Sequence, residues 1–552
     1  MPLLRCYFAR LTLTGLALFL SSILRAQVAP SSPPNYRIAG TVVDSKGGAH
    51  LPQARVLLTN VKDRKEVLSQ LTTDDGHFEF QVSAGKYALR GAKRGYISTD
   101  YNQHEQFSTA IVTGAGVDTE NLVLQLPPTA VIFGKVLDEN GDPIRQSTVT
   151  LWREDHGTGI TRIERSRNEF SDDRGDYEFA ALDPGTYFLS VSANPWYAVH
   201  PPSTAPEGAQ LGPVMVDRSL DVVYPITYYS GATESDEATP IPIRGGDHQE
   251  LELRLLPVPA LHVLLRAAQK ETGLIDGGFQ GYPVFQKRVF DEAEVREYLQ
   301  VQQNANGVLE VATAPGKYSL RMNGPQGVRI SEVDLSEDHQ EIDTASGETA
   351  SNITVTIHRT DGARPSDQVF LALVDRRGKP AGFQPILGHD DAQFASVSPG
   401  TYRFSVGSPN GAYSVVRVVS QGQESAGRTL QVAAGSNLSV EIFLAAGSAR
   451  VEGLASREGK PIAGAMVVLV PKNPEANRDL FRRDQTDLDG TFTLQAVIPG
   501  SYTILAIADG WDLDWSKPAV IAHYATHGQT IEVPAHSDHP IKLSTPVEVQ
   551  SK

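Results

Sequence analysis

Cysteine is all but missing from this chain. The one thiol, Cys6, precedes the apolar run Leu11–Leu24 (LTLTGLALFLSSIL), and no cysteine follows it. Past residue 6 there is thus no disulfide, no thiolate zinc site and no cysteine nucleophile. Runs of one charge sign are missing too: 49 Lys and Arg are interspersed with 65 Asp and Glu, for a net charge of −16. A nucleic-acid partner needs a basic stripe, and none is present. No second long apolar run follows residue 24, so the chain beyond it has no candidate membrane span. Catalytic signatures are lacking as well. No His is followed three positions later by Glu, and there is no His-Glu-x-x-His, no Gly-x-Ser-x-Gly and no phosphate loop ending in Gly-Lys-Ser/Thr. The expectation is a protein that is not an enzyme and needs no cofactor.

What is present begins with a leader. Arg5 and Arg10 flank the start of the apolar run, whose fourteen residues are too few to span a bilayer comfortably but suit a signal peptide. The sequence predicts a signal peptide over residues 1–26, with Ala26 last, and a Pro/Ser linker over 27–34. The rest would be exported to the periplasm, the cell surface or the medium.

A stretch that reads as a hairpin, with a strand, an Ala/Pro-Gly turn and a strand opening on tyrosine, then recurs five times: Phe78–Tyr87, Tyr177–Tyr187, Leu309–Tyr318, Phe394–Tyr402 and Phe492–Tyr502. Its tyrosines lie 100, 131, 84 and 100 residues apart, so the repeat is domain-sized, unlike the short units of a solenoid. Around each copy the pattern is alternating and turn-rich, as in Phe78 and Phe80 or Leu122–Leu126 (LVLQL). These features predict an all-β chain of about five tandem antiparallel β-sandwich modules. Expected limits are 35–127, 128–257 with an insertion at 194–239, 258–350, 351–446 and 447–545, with a tail at 546–552. Short linkers between modules imply a fairly stiff rod. Residues 291–303 read equally as a short capped helix or a charged edge strand. From Phe80 to Ala84 and from Val311 to Pro315 is four positions, but Phe179–Pro184, Phe394–Pro399 and Leu494–Pro499 span five. One extra residue would flip the alternation, so the three longer copies are expected to carry a bulge.

The order Gly40-Thr41-Val42-Val43-Asp44 through Gly85-Lys86-Tyr87 resembles the carboxypeptidase regulatory-like domain. It recurs from Gly134-Lys135-Val136-Leu137-Asp138 to Tyr187 and from Gly453 to Tyr502. The third and fourth copies keep Pro-Gly-x-Tyr and lose the Thr-Asp-x-x-Gly turn. The resemblance implies a transthyretin-like (prealbumin-like) sandwich, often grouped with carbohydrate-binding-like folds. It implies a fold and no fixed activity, because such domains are accessory modules in many proteins.

Candidate binding residues follow from chemistry. Flat aromatic faces bind sugars and anchor protein contacts. The second module's insertion supplies Trp196, Tyr197, Tyr228 and Tyr229, and Trp511 and Trp515 follow the last repeat. The alternative for both groups is packing at a module junction. His523, His527, His536 and His539 fall within 17 residues and would hold a divalent metal if two pairs converged; exposed loop histidines are the plainer reading. Asp138-Glu139-Asn140-Gly141-Asp142 opens like a calcium loop, but Val149 occupies the twelfth position where a glutamate is needed, so it reads as a turn. Lys135, the lysine of an opening strand, has no Asn in Leu251–Leu255 to cross-link with and reads as a surface residue. The expected partner is a carbohydrate or an envelope protein. The alternatives are an adhesive rod, or an accessory subunit of a separately encoded peptidase or outer-membrane transporter.

Overall fold

Alternation decides the strands. Phe78, Phe80 and Val82 on one strand are buried while Glu79 and Gln81 face out, and Leu122, Leu124 and Leu126 repeat the pattern. A strand with one buried face needs a second sheet to cover it. The chain supplies one in every repeat. The computed structural model describes residues 36–552 except 115–116, 202–216, 267–282, 291, 296–300, 304–307, 325–326, 361–368, 376–379, 387–389, 408–412, 426–427, 448 and 535–538. The expected signal peptide, the linker and His536 lie outside the described residues.

The protein is all-β and built of tandem β-sandwiches, five among the described residues, each around its own apolar core. In the first, Tyr36–Asp44 is central to a sheet with His77–Val82 on one side and Leu122–Leu126 on the other. The facing sheet runs Val67–Leu71, Arg55–Asn60, Lys86–Ala92 and Thr99–Asp100. The remaining sandwiches keep this plan, with opening strands Ala130–Leu137, Leu261–Arg266, Ser351–Arg359 and Ala449–Arg457. Most pairs are antiparallel, but each closing strand lies parallel to its opening strand, as with Gly40 beside Leu122 and Asn352 beside Asn437. The closing strand reaches that position by crossing between the two sheets, so it arrives in the opening strand's own direction.

The repeated motif is not a hairpin. Its two strands belong to different sheets: His77–Val82 pairs with the opening strand, whereas Lys86–Ala92 pairs with Arg55–Asn60. The same holds in the second, third and fourth copies; in the fifth, Thr491–Val497 pairs with the opening strand and Gly500–Ala508 with Met466–Pro471, but Val547–Ser551 joins both sides into one nine-stranded sheet. The Ala/Pro-Gly turn therefore carries the chain over the end of the core as an arch. The tyrosine closes that end. Its ring is buried in all five copies, and its hydroxyl donates to the carbonyl four residues upstream. The bonds are Tyr87 to Ser83 at 3.1 Å, Tyr187 to Asp183 at 2.8 Å, Tyr318 to Ala314 at 2.9 Å, Tyr402 to Ser398 at 2.8 Å and Tyr502 to Ile498 at 2.8 Å. Such a bond satisfies a phenol that could not otherwise be buried cheaply.

The three longer copies carry the expected bulge. Register shifts fall at Phe179/Leu182, between Phe394 and Val397, and between Leu494 and Val497. The extra residue adopts the left-handed region in each, at Ala181 (φ 55°), Ser396 (φ 56°) and Ala496 (φ 52°). The shorter copies pair without a shift. Among the described residues of 291–303, Glu292–Val295 and Val301–Gln303 form edge strands on the two sheets of the third sandwich.

The modules do not form a rod. Short linkers do hold neighbours together, as where Thr129 N–H donates to Gly95 O at 3.0 Å and Lys46 pairs with Asp247 at 3.2 Å. Yet the fifth sandwich also folds back on the first two. Arg483 grips Glu105 with both guanidinium nitrogens, at 3.1 and 2.6 Å, and reaches Gly157 O at 3.1 Å. Linker stiffness fixes neighbour spacing; it does not fix direction. Side chains hundreds of residues apart decided that here.

Candidate functional site

The insertion of the second sandwich is organised by the turn that resembled a calcium loop. Asp138 Oδ1 accepts from the N–H groups of Asn140 and Asp142, at 2.9 and 2.8 Å, which is turn capping within its own loop. Glu139, next along, accepts from the hydroxyls of Tyr197 and Tyr224, the latter at 2.8 Å. Burial opposes ionisation of Glu139, yet these donors and its own N–H hold its carboxyl below the ordinary range. Burial, then Glu139, pushes the Tyr197 phenol up to about 12. Trp196, beside this anchor, is 88% exposed, its ring edge-on to Tyr197 at 5.8 Å. Tyr228 lies elsewhere: it is fully buried with Trp152, Phe188 and Phe290 between the second and third sandwiches. Tyr229 packs half-buried against the second core. The four insertion aromatics thus do not share one face.

Trp511 and Trp515 are drawn inward. Trp511 stacks on His104 of the first sandwich at 5.0 Å and lies 5.6 Å from Phe107. Trp515 meets Phe481 at 5.4 Å, and Arg483 sits over its ring at 4.3 Å. Gly159 of the second sandwich, at φ +76°, lies so close that a Cβ there would stand 2.7 Å from the Trp515 ring. Both indoles are buried, and their faces are taken up by protein. His523 and His527 are exposed at the end of the helix Pro518–Ala525, and His539 is exposed in a later loop. Among the described residues no three His, Cys, Asp or Glu side chains are arranged to hold a metal ion. Lys135 is a surface residue, paired with Asp176 at 3.0 Å and half exposed.

Two features escaped sequence reasoning. One is a buried charge cluster where the second sandwich meets the third. His262 Nδ1 lies 2.6 Å from Glu310 and its Nε2 lies 2.8 Å from Asp221, which also meets His200 at 2.9 Å. Hydrogen bonding to Glu310 leads, and Asp221 adds to it, in pushing the imidazole up to about 9 against the cost of burial. The ring is therefore an imidazolium at neutral pH. It ties the insertion to the third sandwich's opening strand.

The other feature is an open cleft of about 1140 Å³ bounded by the second, third and fourth sandwiches. Lys287 forms part of its wall. Its side chain is 5% exposed, and Nζ donates to Thr233 O and Glu234 Oε1, both at 3.2 Å. Arg321 bridges the third and fourth sandwiches by donating to Ser396 O at 2.7 Å. Its lining holds the cations Lys287, Arg288, Lys317 and Arg321, the carboxylates Glu234, Asp236, Glu332 and Asp375, and the hydroxyls of Ser235, Ser319, Ser396 and Ser398. The arch tyrosines Tyr318 and Tyr402 form part of the floor. No local signal marks these positions, because three modules contribute them.

In the second sandwich, opening strand, Asp138 turn, bulged arch and Tyr187 stand in the order that the motif requires. Residues 131–210 match the carboxypeptidase regulatory-like domain. This regulatory-like domain contributes Ile163 to the cleft and positions the exposed Trp196. No curated protein matches the chain. Among solved structures, the Bacillus anthracis TIE protein is 10% identical, with 76% of each chain covered and a TM-score of 0.18. A streptococcal ancillary pilin is 11% identical over 56% of this chain and 98% of its own, with a TM-score of 0.21. The shaft pilin SpaA of Lactobacillus rhamnosus GG is 11% identical over 41% of this chain and all of its own, at 0.18. Likeness at these scores says nothing of what this chain binds.

Proposed function

We propose that the protein is a non-catalytic, exported binding scaffold whose ligand is a neutral carbohydrate held in the three-sandwich cleft. One observation carries the reading: the cleft wall balances four cations against four carboxylates and adds hydroxyls. A balanced wall has no net pull on a polyanion or polycation, whereas paired donors and acceptors match the hydroxyls of a sugar. The regulatory-like domain, an accessory module, and the leader sequence support the non-catalytic and exported parts. A glycan array on the protein expressed without residues 1–26 should find ligands, and Arg321→Ala should abolish their binding. If Arg321→Ala binds as wild type while Trp196→Ala does not, the site lies on the insertion. No glycan bound by the wild type would overturn the reading.

The exposed Trp196 favours a second reading, in which the insertion docks on an envelope protein such as a separately encoded peptidase or transporter. A pull-down from envelope extract with Trp196→Ala as control tests it; equal capture by both forms counts against it. The same scaffold is divided after residues 127, 257, 350 and 446. Limited proteolysis resolved under denaturing conditions should give fragments with those ends.

A further inference from the structure

A lysine and two carboxyls at the contact of the first and fifth sandwiches play no part in the cleft. Lys86 begins the strand Lys86–Ala92, one residue before the arch tyrosine. Its Nζ meets Asp487 Oδ2 and donates to Thr491 Oγ1 at 2.7 Å. The N–H of Ala110 donates to the other oxygen, Asp487 Oδ1, at 3.1 Å. The side chains of Lys86 and Asp487 are 36% and 17% exposed, and burial pushes the Asp487 carboxyl up. Asp484 lies within electrostatic reach of both, its Oδ2 accepting from Thr493 N–H at 2.6 Å. Burial pushes Asp484 up to about 7, so it holds a proton through the acid range.

The position of Asp487 sharpens the point. In the second sandwich the residue at this place in the turn is Asp172, whose Oδ1 caps its own loop through Arg174 and Asp176 N–H, at 2.8 and 2.9 Å. In the fifth, Asp489 binds Thr491 N–H and hydroxyl instead, at 3.1 and 2.5 Å. Asp487 keeps its backbone in the turn, while its side chain is presented to the first sandwich.

We infer that Lys86 and Asp487 become joined by an amide bond that fastens the first sandwich to the fifth. The steps balance without any other reagent. The ammonium passes a proton to Asp487 Oδ2, giving a neutral amine beside a neutral carboxylic acid. Nζ then attacks Cγ, and negative charge grows on Oδ1, where the Ala110 N–H already points. Asp484 gives its proton to the departing Oδ2 hydroxyl and regains one from the nitrogen. The C–N bond forms, the C–Oδ2 bond breaks and one water leaves. Holding amine and carboxyl in contact supplies the effective concentration that free condensation in water lacks.

Peptide mapping by mass spectrometry of the full purified chain tests this independently of leader removal. A linked peptide pair containing Lys86 and Asp487, lighter by one water than the two peptides summed, is expected in wild type. Lys86→Arg keeps the ion pair and should give only unlinked peptides; Asp484→Asn should give little or no linked pair. Unlinked peptides from the folded wild type would overturn the proposal and leave an ion pair. A linked pair persisting undiminished in Asp484→Asn would overturn the proton-donor role.

Discussion

Trp196 and Trp515 look alike in sequence, each in a short polar stretch after a core strand with a second aromatic nearby. The fold treats them oppositely. Trp196 stands in solvent on an insertion anchored through Glu139, whereas Trp515 is enclosed by Phe481, Arg483 and Gly159. The difference arises because only Trp515 lies on the face where the fifth sandwich meets the second. One tryptophan is therefore solvent-facing and the other junction-facing, and the partner module decides which.

The comparison can be broken most forcefully at Trp515. Trp515→Ala should cost about 3–5 kcal/mol, the scale of a large aromatic lost from a packed site. It should also loosen the contact of the fifth sandwich with the first two, read as a larger radius of gyration in small-angle scattering. An unchanged melting temperature and radius would mean that the indole is not enclosed. A second junction offers a pH test. The folded pKa of His262 lies above its ordinary 6.5, at about 9, so its contribution is complete below about pH 6.5 and is lost as pH rises through about 9. Thermal melts between pH 6.5 and 10 should fall in wild type and fall less in His262→Gln; parallel curves would remove the imidazolium from the junction.

Smaller effects sharpen the contrast from the other side. Tyr502→Phe keeps the ring and removes only the donor to Ile498 O, so it should cost about 1 kcal/mol in denaturant unfolding. A cost near zero would mean that the carbonyl finds another donor. Trp196→Ala, with nothing packed over it, should stay within about 0.5 kcal/mol of wild type. A large loss there would place Trp196 in a core.

Much of the architecture was legible in the sequence. Alternation in Phe78–Val82 and Leu122–Leu126 marks buried faces, and one extra residue in three arches was enough to forecast the bulges at Ala181, Ser396 and Ala496. The arch reads as a hairpin in sequence, because alternation shows which face of a strand is buried and not which sheet it joins. The site was scarcely legible. Lys287, Arg321 and Asp375 belong to different strands of two sandwiches and look like ordinary surface charges in sequence. The enclosure of Trp511 depends on His104, some four hundred positions away, and no local pattern carries that information.

The return of the fifth sandwich to the first gives the molecule the topology of a loop. A linear string of modules falls in two when one linker is cut. A loop does not: after a single cut every piece is still held by a neighbour on its other side. Arg483 and Arg428, which clasps Asp479 between the fourth and fifth sandwiches at 2.7 Å, are then redundant fastenings for the same set of pieces. A nicked protein should elute from a sizing column with the intact one.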